Sequence, residues 1–206
     1  MIYVLAGVNG AGKSSIGGSA IREAGQDWYN PDEFARAMRE QYPDRPIDEI
    51  NSAVWTKGVQ RLKAAIRDDA DFTFETTLGG STITNTLLDA IAAGIPVSIW
   101  YCGLASPEQH IERVAARVAR GGHDIPEAMI RSRYKTSMRN LCRLAPSLHQ
   151  LAVYDNSAAL DEKGRPRIQR LLHVINGQIQ ELRQDMPVWA KPIATVVLNT
   201  AKTQGM

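Results

Sequence analysis

The sequence predicts an α/β protein: a parallel sheet of about five strands flanked by helices, closed by a small C-terminal β-hairpin and a terminal helix. Three observations carry this expectation. Strand-like apolar runs and helical patterns alternate from residue 2 to about residue 156. The first apolar run, Ile2–Ala6, leads directly into Gly-Val-Asn-Gly-Ala-Gly-Lys-Ser at 7–14, a strand followed by a glycine-rich loop. Beyond residue 156 the pattern changes, and Asn176-Gly177 between two short segments is the strongest local hairpin signal in the chain. No linker or repeat divides the sequence, so 1–206 reads as one domain with a core over 1–157 and an extension over 158–206.

The expected strands are Ile2–Ala6, a short Trp28–Tyr29, Phe72–Phe74, Pro96–Cys102 and Leu151–Tyr154. Helical patterns fall at 14–24, 32–41, 47–69, 82–93, 107–120 and 127–144. Ser106-Pro107-Glu108 supplies an N-cap with proline at the first helical position, and Asp124-Ile125-Pro126-Glu127 offers similar chemistry for the next helix. Gly25 and Gly94 are expected helix terminators. Pro166 to Leu182 reads as the hairpin, and Ile193 to Leu198 as the core of a terminal helix.

With 44% hydrophobic and 22% charged residues, the composition is that of a globular protein. A net charge of +2 gives no general affinity for nucleic acid or membranes. Apolar runs fall short of the roughly 18 residues of a membrane span, and the N-terminus starts in a strand rather than a basic leader, so a cytoplasmic protein is expected. Cys102 and Cys142 have no metal-ligand spacing and read as reduced thiols.

GxxxxGKS is a phosphate-binding loop: its glycines let successive N–H groups surround a polyphosphate, Lys13 reaches the outer phosphates, and the Ser14 hydroxyl can ligate Mg²⁺. Gly7, Asn9, Gly10, Ala11, Gly12, Lys13, Ser14 and Ser15 are therefore the expected contacts to a nucleoside triphosphate. The phosphoryl acceptor must be sought at other strand ends. Asp32 follows the second strand and reads either as a general base for an acceptor hydroxyl or as a carboxylate at a helix N-terminus. Glu75, leaving a buried strand, reads as a contact to substrate hydroxyls, as a group acting on Mg²⁺ through water, or as the partner of a lysine or arginine, with Thr76 and Thr77 supplying neutral hydrogen bonds.

Arg113, Arg117 and Arg120 share one face of the 107–120 helix, ahead of Gly121-Gly122-His123, where a closing lid over about 117–133 would sit. Residues 108–143 hold eight Lys/Arg against four Asp/Glu, suited to a polyanionic substrate, although a solvated basic face also explains such a stripe. Arg120 and Arg133 are the expected clamp on a transferring phosphoryl group, with Arg117 next. His123 reads as a lid hydrogen bond, and Asp155-Asn156-Ser157 as a border of the nucleotide base or a simple turn.

Taken together, GVNGAGKS, NPDEFAR, FETTLGG, RVAARVARGGHDIP with RSRY, and YDNS resemble, in that order, the zeta-toxin family of P-loop kinases, especially its chromosomal branch. The resemblance spans about residues 2–157 and implies a P-loop kinase-like fold. It implies transfer of the γ-phosphate of ATP or GTP to a hydroxyl of UDP-N-acetylglucosamine, with Mg²⁺. By matching position it implies Lys13 and Ser14 on phosphates and metal, Asp32 as base, Asn30 and Glu75 on the acceptor, and Arg120 with Arg133, thirteen residues apart, on the γ-phosphate. Pro31 departs from the pattern, standing between Asn30 and Asp32 where the toxins place asparagine directly before the base. A small helical antitoxin is the partner the family implies. The alternatives are a phosphotransferase for another metabolite or an antibiotic hydroxyl, and a nucleotide-switched ATPase or binding protein.

Overall fold

The computed structural model describes residues 1–13, 16, 28–159, 161–162 and 165–204. The expected helix over 14–24, its terminator Gly25, and Ser14 and Ser15 lie outside the described residues. The described strands are β1 (Ile2–Ala6), β2 (Trp28–Tyr29), β3 (Phe72–Thr76), β4 (Val97–Gly103), β5 (Gln150–Asp155), β6 (Gln169–Ile175) and β7 (Gln178–Leu182). The described α-helices are α1 (Pro31–Gln41), α2 (Ile47–Arg67), α3 (Ser81–Ala92), α4 (Pro107–Val118), α5 (Glu127–Leu144) and α6 (Lys191–Gln204).

These strands form one sheet in the order β2-β3-β1-β4-β5-β6-β7, parallel from β2 to β5 and antiparallel from β5 to β7. The hairpin thus extends the main sheet. Its loop places Asn176 and Gly177 at φ 49° and 73°, the two left-handed positions that a tight hairpin turn requires. The parallel strands read as unbroken apolar runs because both faces are covered: every residue of β4 except Trp100 is buried, and Tyr3 stacks on Trp100 with ring centroids 5.9 Å apart.

Caps set the helix starts at the site. Asn30 Oδ1 accepts from the N–H of Asp32 at 2.9 Å, with Pro31 at the first helical position of α1. Ser106 Oγ likewise accepts from Gln109 N at 3.3 Å ahead of Pro107. Two expectations are revised. Asp124 Oδ1 accepts from the neighbouring Ile125 N–H instead of capping α5, whose start has Pro126 at the cap position and no side-chain bond. The 107–120 helix ends at Val118, because Gly121 turns to φ 84° and the Gly122 N–H bonds back to Arg117 O, so Arg120 sits in the following turn. Gly94, at φ 84°, ends α3 as expected.

Among the described residues no helix is long and apolar enough to cross a membrane. Beyond the hairpin, Trp189 packs on Tyr101 and donates its Nε1–H to Asp155 Oδ1 at 3.3 Å, fastening the C-terminal segment to the end of β5.

Candidate active site

The C-terminal ends of β1, β3, β4 and β5 lie side by side, with Ala6 opposite both Thr76 and Tyr101, and Gly103 opposite Asp155. Chain order reverses direction across the sheet at β1, the position where open α/β sheets form a ligand crevice. The glycine-rich loop leaves β1 there, with Gly7 N–H bonded to Thr76 O at 3.2 Å.

The loop's carbonyls are held from outside. His110 Nδ1 lies 2.8 Å from Asn9 O, Asn156 Nδ2 donates to Ala11 O at 2.9 Å, and the Cys102 thiol donates to the same oxygen at 3.0 Å. Because Asn9 O can only accept, His110 carries its proton on Nδ1. Burial pushes the His110 pKa down to about 4, so the ring is neutral. Arg113 Nη2 donates to Asn156 O at 2.6 Å and anchors that asparagine in turn. Gly12, at φ 86°, passes so close that a Cβ there would fall 2.3 Å from Asn156 Nδ2. Val8 inserts from the loop into a small apolar cluster with Val114 of α4 and Ile130 of α5, separate from the main core.

Lys13 is buried beneath the loop, where its Nζ donates to Gly7 O at 2.9 Å and pairs with Glu75 Oε1 at 3.2 Å. Of the readings of Glu75, the lysine partnership is present, while Glu75 Oε2 is buried with no hydrogen bond among the described residues. Among the described residues, the N–H groups of Gly10 and Gly12 have no acceptor. A loop with its Asn9 and Ala11 carbonyls engaged behind it, unpaired N–H groups at Gly10 and Gly12 among the described residues, and a lysine beside them fits a polyphosphate.

Asp32 occupies the first turn of α1, and its exposed carboxylate pairs with Arg117 Nη1 at 3.3 Å. Arg117 Nη2 donates to His123 O at 2.6 Å, and His123 Nδ1 lies 3.4 Å from Arg39 Nη1, joining the 119–126 connection to α1. Arg133 Nη1 donates to Asn9 Oδ1 at 2.8 Å; burial lowers its pKa while the Asp32 carboxylate pulls the other way. Arg117, Arg133 and Asp32 thus converge beside the loop. Arg120 lines the same cleft from the turn after α4, exposed, its guanidinium without a hydrogen bond or ion pair among the described residues. The cleft has a volume of about 1150 Å³.

The segment after β3 is pinned by α5. Ser137 Oγ donates to Thr77 O at 2.6 Å, Tyr101 Oη lies 3.0 Å from Ser137 Oγ, and Asn140 Nδ2 donates to Leu78 O at 2.7 Å and Gly80 O at 3.2 Å. Thr76 and Thr77 use their hydroxyls locally, accepting from the N–H groups of Leu78 and Gly79. Thr77, Arg133 and the loop therefore form one connected body. Sequence reasoning missed His110, Asn140 and the role of Ser137. Ser137 falls within an apolar stripe of α5, and a hydroxyl at a core position was the available signal.

A family model described as Zeta toxin matches residues 1–161. A Haemophilus influenzae protein described only as uncharacterized is 31% identical over 128 residues, covering 62% of this chain and 88% of its own length. The crystal structure of AvrRxo1-ORF1:AvrRxo1-ORF2 with sulphate ions superposes with a TM-score of 0.68 at 16% identity, over 94% of this chain and 63% of that one. The same complex with ATP gives a TM-score of 0.66 at 15% identity, over 96% and 63%. The PezAT chromosomal toxin-antitoxin system of Streptococcus pneumoniae gives 0.51 at 12% identity, over 98% and 86%. At these identities the structural likeness is one of fold, and this chain spans under two thirds of the AvrRxo1-ORF1 complex chain it matches.

Proposed function

The chain belongs to the zeta toxin family, and from that premise we propose that it is a cytoplasmic Mg²⁺-dependent kinase that moves the γ-phosphate of ATP or GTP onto a hydroxyl of a UDP-N-acetylglucosamine-like nucleotide sugar. The observation that carries this reading is the meeting of Asp32, Arg117 and Arg133 beside a loop whose Lys13 and free N–H groups suit a triphosphate.

In the proposed reaction the acceptor oxygen attacks the γ-phosphorus and gives its proton to Asp32. The bond from the γ-phosphorus to the β,γ-bridging oxygen breaks, and the nucleoside diphosphate leaves with that electron pair. Arg117, Arg120 and Arg133 hold the equatorial oxygens, on which most of the charge of a loose transition state resides. Lys13 turns from Glu75 to the phosphates, and Glu75, Thr76, Thr77 and Asn30 face the acceptor. Ser14 is the residue to hold Mg²⁺ together with phosphate oxygens, and the ion would neutralise charge there when bound. Positioning does most of the work, because phosphoryl transfer asks little covalent help of the protein.

The two complexes named among the structural neighbours also support a small antitoxin as this chain's partner.

The test is mass spectrometry of UDP-N-acetylglucosamine after incubation with protein, ATP and Mg²⁺, where a gain of one phosphate is expected. Asp32→Asn should lose transfer and keep nucleotide binding, and Lys13→Ala should lose both. Transfer by Asp32→Asn at the wild-type rate would remove the assigned base.

A further inference from the structure

Arg133 is held at both ends by residues that no step of the proposed reaction uses. At its tip, Nη1 donates to Asn9 Oδ1 at 2.8 Å, the only hydrogen bond or ion pair of this guanidinium among the described residues. At its base, the stem lies against Gly79, where a Cβ would fall 2.8 Å from Arg133 Cγ and 3.4 Å from Arg133 Cβ. Gly79 does not adopt a left-handed φ, so the approach of the arginine, and not the turn, is what calls for glycine here.

Asn9 belongs to the phosphate loop, yet its side chain is buried and its amide oxygen, which has no proton to offer a phosphate, is turned to Arg133. The backbone of the same residue is fixed separately, by His110 on Asn9 O at 2.8 Å. The partner's neutrality matters. Arg133 is half-buried and pairs with no carboxylate among the described residues, and burial disfavours its charge while Asp32, beyond ion-pair distance, supports it. An aspartate at position 9 would hold the same guanidinium but cancel its charge, whereas an amide holds it and leaves the charge for an incoming anion. Arg117, by contrast, is committed to Asp32 and His123 O, and Arg113 to Asn156 O.

We propose that Asn9 is a positioning residue: its side chain sets the Arg133 guanidinium at the γ-phosphate and makes no contact of its own with the nucleotide, while Gly79 seats the stem of the arginine from the acceptor side. This rests on the kinase reading, which puts Arg133 on the γ-phosphate, and gives the Asn9 side chain a role other than the expected direct contact. The loop that binds the donor thereby also presets one arm of the clamp before any nucleotide arrives.

The experiment measures, by calorimetry with Mg²⁺, the affinities of ADP and of a non-hydrolysable ATP analogue for wild type, Asn9→Ala, Arg133→Gln, the double variant and Gly79→Ala. The readout is the preference for the analogue over ADP, which a general loss of loop structure would not change selectively. Arg133→Gln should lower that preference about tenfold. Asn9→Ala should lower it several-fold with ADP affinity held, and the double variant should lose no more than Arg133→Gln alone, because Asn9 then has nothing to position. Gly79→Ala, which leaves the loop intact, should lower it as well by displacing the stem. Asn9→Ser, too short to reach Arg133, repeats the test should Asn9→Ala not fold. Additive losses, ADP affinity falling in step, or a wild-type preference in Asn9→Ala beside a loss in Arg133→Gln each overturn the role of Asn9, and a wild-type preference in Gly79→Ala overturns that of Gly79. A wild-type preference in Arg133→Gln removes this arginine from the γ-phosphate, and the positioning role falls with it. Neither affinity involves an acceptor, so failure to phosphorylate UDP-N-acetylglucosamine would count against the acceptor reading alone.

Discussion

Replacing Asn140 with leucine removes two of the hydrogen bonds that fix the backbone of 78–80. Asn140 is 5% exposed, and its Nδ2 serves Leu78 O at 2.7 Å and Gly80 O at 3.2 Å. Leucine has similar volume, so packing changes little while Leu78 O loses its side-chain donor and Gly80 O keeps only the Thr84 hydroxyl at 3.1 Å. The Leu78 carbonyl is buried and loses the full desolvation term; that of Gly80 is partly accessible and loses less. Together these cost about 2–4 kcal/mol. Leu78 sits at φ 52°, an unfavourable conformation for leucine that depends on such support. At roughly 2–4 °C per kcal/mol for a chain of this size, the melting temperature should fall by about 4–16 °C. Acceptor kinetics give the second readout: KM for the acceptor should rise, because Thr76, Thr77 and Glu75 lead into this segment, while nucleotide affinity stays near wild type. A melting temperature within 1 °C of wild type, or nucleotide affinity falling in step with the acceptor's, would refute the reasoning that α5 positions the acceptor side alone.

Three other outcomes are expected. Glu75→Gln removes the carboxylate that competes with phosphate for Lys13, so ATP should bind several-fold tighter by calorimetry while turnover falls, and the free protein should melt lower because Lys13 is left buried without its counter-charge. His110 should make stability pH-dependent in acid: its folded pKa of about 4 lies below the unfolded value of 6.5, so the unfolded chain binds the extra proton, and stability held above pH 6.5 is lost as pH falls toward 4. The loss, at most about 3 kcal/mol, should be seen in urea unfolding between pH 7 and 4 and flattened in His110→Phe, which would also loosen nucleotide binding. Gly12→Ala should abolish ATP binding and also lower the melting temperature, since alanine is strained at φ 86° and its Cβ displaces the buried Asn156 from Ala11 O.

Sequence made the parallel core legible because central strands are apolar runs and the helices begin at strong caps, as at Asn30-Pro31 and Ser106-Pro107. It misplaced the end of α4, where Ala119 and Arg120 continue a helical pattern that Gly121 terminates by turning back onto Val118 and Arg117. The nucleotide loop was legible because its chemistry lies in consecutive residues. Its supports were not, because they depend on register and packing: Leu5 opposite Glu75 fixes which carboxylate underlies the loop, and α4 crossing behind Asn9 decides that His110 is buried. Asp32 stands as the first-turn carboxylate of α1 that one of its readings expects, paired with Arg117, and its reading as a general base belongs to the proposed reaction.

The supports behind the loop share one property: His110, Asn156 and Cys102 are neutral donors to carbonyls. Burial keeps His110 uncharged and pushes the Cys102 thiol up to about 12, so neither ionises near neutral pH. A charged group there would compete with Lys13 and the arginines for the phosphates or repel them. Neutral donors act on peptide orientation instead. Each carbonyl drawn outward turns its amide plane and directs the adjoining N–H toward the opposite side, where Gly10 and Gly12 have no acceptor. The loop is thereby set in its anion-binding shape before any nucleotide arrives, and the cost of orienting those dipoles is met in folding and not at the moment of reaction. The charges assigned to substrate in the proposed reaction are carried by other groups, Lys13 paired with Glu75, and Arg117, Arg120 and Arg133 beside the loop.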